Sequence, residues 1–326
     1  MNNNLLDKLS PLIGEINRHL EETFKAQEGL LSEIGLYNYL GGGKRLRPLV
    51  FLLAAHSLKD TFPLPDFFFR SSIVFELIHM ASLLHDDIVD HSEMRRGRKS
   101  AHLVFGITET VLSGDFILAR ASTLAMETGS MDFIGILTQL LEDLSIGELK
   151  QLKLRFNSAI SLDDYYDIIK SKTAVLMSSA ARAGALIAKG TNKELAALTQ
   201  YGLDFGLGFQ IKDDILDYKA DPKTLGKPTF KDLAEGRITL PIILAAKNLS
   251  AKSAKELLRL AAKKQRDPED FLAIASLIEE GQGIEEAQVI AEKHAENASL
   301  ALGSLPDTVA KGLLIDLARY GAIREN

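Results

Sequence analysis

Four stretches of this chain, residues 71–90, 134–151, 173–188 and 201–217, carry a helical period, and several of them are apolar around nearly the whole helix. Helices without a polar face must be covered on all sides, so they belong inside a large bundle rather than on its surface. Few runs alternate apolar and polar residues as a half-buried strand would. Breaks fall at Gly41-Gly42-Gly43, Phe62-Pro63-Leu64-Pro65, Arg96-Gly97, Gly129 and between Asp221-Pro222 and Pro228. Two helix starts are legible. Ser161 and Asp164 have capping-box spacing, and Asp267-Pro268-Glu269-Asp270 offers an N-cap, a first-position proline and first-turn acids. The more charged tail reads as amphipathic helices such as 253–264 and 284–302. With 46% hydrophobic residues and no long linker, the expected fold is all-α, one domain over residues 1–326.

Composition removes several function classes. There are 0 cysteines, hence no disulfide framework, thiolate metal site or cysteine nucleophile. The 44 acidic and 38 basic residues leave a net charge of −6, which argues against a general nucleic-acid binder. The start MNNNLLDKLS lacks the basic and apolar regions of a signal peptide, and residues such as His56 and Lys59 interrupt the apolar runs before they reach bilayer-spanning length. A cytoplasmic protein with no spanning segment is expected.

One internal echo demands a chemical account. Asp86-Asp87-Ile88-Val89-Asp90 recurs 127 residues later as Asp213-Asp214-Ile215-Leu216-Asp217. On a helix the first and last aspartates of DDxxD lie about 40° apart and share a face, whereas the second is turned by about 100°. Clustered carboxylates on an apolar helix repel one another and need a counter-charge; Mg²⁺, which takes oxygen ligands and bridges carboxylates to phosphates, supplies one. A solvated acidic face is the other reading, weakened by two copies on apolar segments.

Cations accompany the acids. Gly41-Gly42-Gly43-Lys44-Arg45-Leu46-Arg47-Pro48 joins a glycine turn and three cations to a helix start at Pro48, as an anion site would; a solvated basic loop is the alternative. The loop is not a Walker A motif. Arg95-Arg96 offers two planar forks for phosphate, or simple neutralisation of Asp86, Asp87 and Asp90. Lys172-Thr173 and Gly226-Lys227 add donors. His79, His85, His91 and His102 form no compact zinc spacing. His79, two turns before Asp86, is a core histidine or a neighbour of a diphosphate. Gly202 and Gly206, spaced i, i+4, point to close helix packing.

Taken in order, GGGKRLRP, ELIHMASLLHDDIVD, RRG, VLSGDFILARA, SKTA, FQIKDDILD and GKPTFKDLAEGRITLP resemble the trans-isoprenyl diphosphate synthases, the polyprenyl synthetase family. The resemblance runs from about Leu30 to Leu244, and RYGAIREN is similar to the family terminus. It implies an isoprenoid-synthase-like helical bundle around a deep central cavity, usually a homodimer, and Mg²⁺-dependent condensation of isopentenyl diphosphate with an allylic diphosphate. By the same resemblance, Asp86, Asp90, Asp213 and Asp217 are metal ligands, with Asp87, Asp214 and Lys172 beside them in catalysis. Arg95, Lys172, Thr173, Gln210 and Lys227 fall where the family contacts the allylic diphosphate. Lys44, Arg47, His79 and Arg96 fall where it holds isopentenyl diphosphate. Two departures add or keep positive charge: Arg98-Lys99-Ser100 after RRG, and Arg237, also expected at the substrate, where lysine is usual.

Product length is partly legible. Ala81 and Ser82 lie about one turn before Asp86, where bulky side chains would floor the cavity; small ones leave room for a medium-to-long all-trans chain, octaprenyl among the lengths admitted. A short-chain farnesyl or geranylgeranyl diphosphate synthase is the alternative, since a deeper residue could still close the tunnel. An isoprenoid cyclase would not need Lys44, Arg47 and Arg96 for a second diphosphate, and a non-catalytic subunit of a heteromeric synthase could lose carboxylates that are complete here. Product release implies at most transient membrane contact.

Overall fold

Apolar residues at successive helical turns produce long helices, and the computed structural model, which describes residues 3–58, 64–219 and 230–325, is helical almost throughout. The helices are α1 (Asn3–Lys25), α2 (Gly29–Leu40), α3 (Leu46–Leu58), α4 (Asp66–Val89), α5 (Ala101–Phe105), α6 (Ile107–Glu127), α7 (Met131–Leu154), α8 (Leu162–Ile169), α9 (Val175–Ile187) and α10 (Asn192–Lys219). They continue as α11 (Lys231–Ala234), α12 (Leu240–Asn248), α13 (Ala251–Ala261), α14 (Pro268–Glu280), α15 (Gly283–Ala301) and α16 (Val309–Ile323). A π-helical turn, Lys170–Ala174, precedes α9, and a small hairpin, β1 (Met94–Arg95) with β2 (Arg98–Lys99), follows α4. The chain divides into two compact units: Met1–Gln139, Ser179–Thr199 and Ser304–Leu314; and Leu140–Ser178, Gln200–Gly303 and Ile315–Asn326.

In the first unit α4 packs on α3 and α6. Eleven of the thirteen residues of α3 are buried, as its nearly unbroken apolar sequence requires. Phe51, Phe75 and Phe133 meet there at centroid separations of 5.9–6.3 Å. Helix α3 starts at Leu46, two residues ahead of the expected Pro48, which sits in the first turn where a missing N–H goes unneeded. A second correction concerns the membrane. Helix α4 is long and apolar enough to cross a bilayer by length and composition, although no such run was expected; 67% of its most apolar window is buried by the protein, which marks a core helix.

The second unit gathers Tyr218, Phe230, Leu233, Ile242, Leu257, Ile274 and Ile278 into a core, with α12 packed against α13, α14 and α15. Both helix starts read from the sequence are reciprocal capping boxes, Ser161 with Asp164 and Asp267 with Asp270.

Candidate active site

The first acidic motif closes α4. Asp90 caps the helix and its N–H donates to the Asp86 carbonyl at 2.8 Å, so the two aspartates keep one-turn spacing on one face. Asp87 is turned away and is only 4% exposed. Its carboxylate accepts from Arg95 Nε and Nη2 at 2.9 and 2.6 Å, the pairing that lets a carboxylate be buried here. Arg95 therefore reaches its own motif, supplied by a hairpin whose turn residues Arg96 and Gly97 have φ of 50° and 77°.

A cationic cradle lies in the same unit. Gly42, Gly43 and Arg45 have φ of 79°, 150° and 51°, a left-handed passage that brings the loop against the hairpin. A Cβ at Gly43 would stand 3.1 Å from Arg96 Nη1 and 3.3 Å from Arg45 Nη1, so a side chain there would press on both guanidiniums as well as strain the backbone. Arg96 donates to the Gly42 carbonyl. Arg45 is buried and pairs with buried Glu76 at 3.1 Å, and Arg47 approaches the same carboxylate at 4.0 Å. Burial, with the guanidiniums of Arg47, Arg96, Arg95 and Arg45, holds the His79 ring well below the usual imidazole range, so it stays neutral near pH 7. Lys44 is exposed on the loop. A cleft open to solvent is lined by Asn38, Leu84, Asp87, Arg95 and Arg96 among others. Arg98 lies 4.1 Å over the Tyr37 ring, so this added cation is held by an aromatic face.

Ala81 is fully buried, whereas Ser82 is partly exposed and its hydroxyl donates to the His79 carbonyl at 2.9 Å. The two positions proposed to set length thus differ in surroundings.

The second motif is built on α10 in the second unit. Asp213 is half exposed and pairs with Arg324, whose buried guanidinium also donates to the Phe209 carbonyl at 3.1 Å and stands 3.7 Å over the Phe209 ring. Asp214 is buried and accepts from Tyr165 Oη at 2.7 Å and Gln210 Nε2 at 2.8 Å. Asp217 accepts the N–H groups of Lys231 and Asp232 at 3.0 and 2.9 Å, tying α10 to the start of α11. Burial and the neighbouring Asp232 charge push Asp217 up to about 7. The same two causes raise Asp214.

Lys172 and Thr173 stand in the π turn. Lys172 pairs with Glu148 at 2.7 Å, and Thr173 Oγ1 donates to Gln210 Oε1 at 2.7 Å. Arg237 is held by Asp232, with Nε–Oδ1 at 3.0 Å, and by Glu235. Lys227 lies outside the described residues. Sequence reasoning missed Glu76, Glu148, Tyr165 and Asp232 as partners of the site. Only Glu76 carried a signal, as the charged residue in an otherwise apolar segment.

The donor set fits a hard divalent cation: it is oxygen-only, and the upward shift of Asp217 beside Asp232 reports buried carboxylates short of positive charge. Among the described residues no three acidic or histidine side chains converge as a ready metal cage.

The sequence model of the polyprenyl synthetase family matches residues 28–278. An octaprenyl diphosphate synthase of Haemophilus influenzae is 37% identical over 312 residues, covering 94% of this chain and 92% of that protein. A polyprenyl synthase from Caulobacter crescentus, solved in complex with calcium and isoprenyl diphosphate, is similar with a TM-score of 0.91 at 34% identity, over 99% of this chain and 97% of the other. A decaprenyl diphosphate synthase from Rhodobacter capsulatus is similar with a TM-score of 0.90 at 32% identity, over 99% and 98%.

Proposed function

The chain belongs to the polyprenyl synthetase family of prenyltransferases, and we propose that it condenses isopentenyl diphosphate with an allylic diphosphate into a medium-to-long all-trans polyprenyl diphosphate, with octaprenyl the favoured length. In this reading residues 1–326 act as one domain, the enzyme is a cytoplasmic homodimer, and membranes are touched only as product leaves. The observation that carries it is the cradle of Arg47, His79 and Arg96 in the same unit as the carboxylates that close α4. One side of it suits an anion and the other suits the metal that accompanies a diphosphate.

Asp86, Asp90, Asp213 and Asp217 would hold Mg²⁺. When bound, Mg²⁺ supplies positive charge to the pyrophosphate departing from the allylic substrate. The chain's own groups do the rest. Lys172, Thr173, Gln210, Arg95 and Lys227 bind the allylic diphosphate, with Arg237 nearby. Lys172 and Arg95 stabilise charge as the C–O bond breaks. Lys44, Arg47, Arg96 and neutral His79 hold isopentenyl diphosphate so that its double bond meets the allylic cation; fixed placement removes much of the entropic barrier. Loss of a proton to the released pyrophosphate restores an allylic diphosphate ready for another round. Apolar walls keep out water, which would quench the cation to an alcohol.

The test is incubation with farnesyl diphosphate, labelled isopentenyl diphosphate and Mg²⁺, followed by separation of dephosphorylated products by length. A ladder ending at one dominant long product is expected, and a chelator should abolish it while circular dichroism stays unchanged. Absence of incorporation with every allylic primer would overturn the reading.

A further inference from the structure

A chain of hydrogen bonds in the second unit joins α8, the π turn and α10. Tyr165, only 3% exposed, donates its hydroxyl to Asp214 Oδ2 at 2.7 Å. Gln210, one turn earlier on α10, donates Nε2 to Asp214 Oδ1 at 2.8 Å and accepts Thr173 Oγ1 on Oε1 at 2.7 Å. Gln210 thus bridges the two segments, its amide nitrogen facing Asp214 and its amide oxygen facing Thr173.

The segment at the end of this chain is unusual in its backbone. Lys170–Ala174 is π-helical, a conformation that is rare and recurs at functional sites. Glycines hold it closely: a Cβ at Gly206 would fall 2.5 Å from Ala174 Cα, and one at Gly147 would fall 2.7 Å from Ser171 Cβ. Its Lys172 is aimed at Glu148. The turn is thus fixed by close packing at Ser171 and Ala174 and by the Gln210 bond at Thr173.

We propose that Tyr165, through Asp214, is a positioning residue that locks Gln210 and the Lys170–Ala174 turn in the geometry that receives the allylic diphosphate. The inference rests on the prenyltransferase reading above. Tyr165 and Asp214 touch no substrate in it; they orient the groups that do. Asp214 accordingly differs in role from Asp213 and Asp217, although all three stand in one motif.

The experiment compares wild type, Tyr165→Phe and the adjacent control Tyr166→Phe by steady-state kinetics, thermal unfolding and titration with Mg²⁺ and inorganic pyrophosphate. Tyr165→Phe is expected to raise KM for the allylic diphosphate roughly tenfold, the scale of one lost buried hydrogen bond. Its KM for isopentenyl diphosphate should be unchanged, its pyrophosphate binding weakened by a similar factor, and its Tm only a few degrees below that of Tyr166→Phe, as one buried acceptor left without its donor requires. Equal kinetics for the two variants, or parallel loss for both substrates with a large fall in Tm, would overturn the positioning role. If Tyr165→Phe fails to fold, Asp214→Asn, which keeps the shape and removes one acceptor, decides by the same substrate split. A wild type that turns over no primer would sink the prenyltransferase reading alone, because pyrophosphate titration still compares the variants.

Discussion

Glu76 lies on α4 at 3% exposure, with the guanidinium of Arg45 at 3.1 Å and that of Arg47 at 4.0 Å. Arg45 also donates to Asn17 Oδ1 at 3.0 Å and to the Tyr39 carbonyl at 3.1 Å, so its fork is committed to the protein. Removing one member of a buried ion pair leaves the other uncompensated, at a cost of about 3–5 kcal/mol. Glu76→Ala and Arg45→Ala should each lower unfolding free energy by about that amount in denaturant titrations. Arg47→Ala leaves the buried pair in place and should weaken isopentenyl diphosphate binding with a smaller stability loss; equal destabilisation by all three would refute this division of labour. The sequence marks KRLR as cationic but cannot say which cation turns inward. That depends on the left-handed φ of 51° at Arg45 and on a carboxylate 31 positions away.

At the scale of elements, Gly202 and Gly206 line α10 where other backbone comes close. A Cβ on Gly202 would stand 2.6 Å from the Met177 carbonyl oxygen and from Ser178 Cα. Glycine to alanine within a helix ordinarily gains about 1 kcal/mol. Here the neighbours are backbone atoms that cannot rotate away, so the sign reverses: Gly202→Ala should destabilise by about 1–3 kcal/mol, measured by chemical denaturation. A stabilised Gly202→Ala would mean that α10 and the segment at Met177 can separate freely. The i, i+4 spacing made this packing legible, as side-chain capping made the starts of α8 and α14 legible. The π turn was not, because one extra residue per turn leaves the apolar pattern of residues 173–188 nearly unchanged. The hairpin at Met94–Lys99 is likewise too short for an alternating signature.

For the molecule as a whole, the measurable output is the length of its product. Ala81 is fully enclosed, so Ala81→Phe must displace packed neighbours at a cost of about 1–3 kcal/mol. Ser82 is partly exposed, and its hydroxyl bonds back to the His79 carbonyl on its own helix. Ser82→Phe should therefore shorten the dominant product with little loss of Tm, as read from the product ladder. An unchanged ladder would place the floor of the cavity elsewhere. Motif order made the fold class and chemistry legible from the sequence, and the family match extends past Leu244 to residue 278. Burial differences between adjacent small residues were not legible, because they depend on helices distant in sequence. Helix α4 carries both kinds of position on one rod: Ser82, answerable to little else, and Glu76, answerable to two arginines. Should Ser82→Phe shorten the product, a lineage bearing this helix can change what it makes by altering a single codon. It can exchange the Arg45–Glu76 pair only by crossing a valley of unstable intermediates, so product length would then be free to diversify while the buried pair is inherited intact.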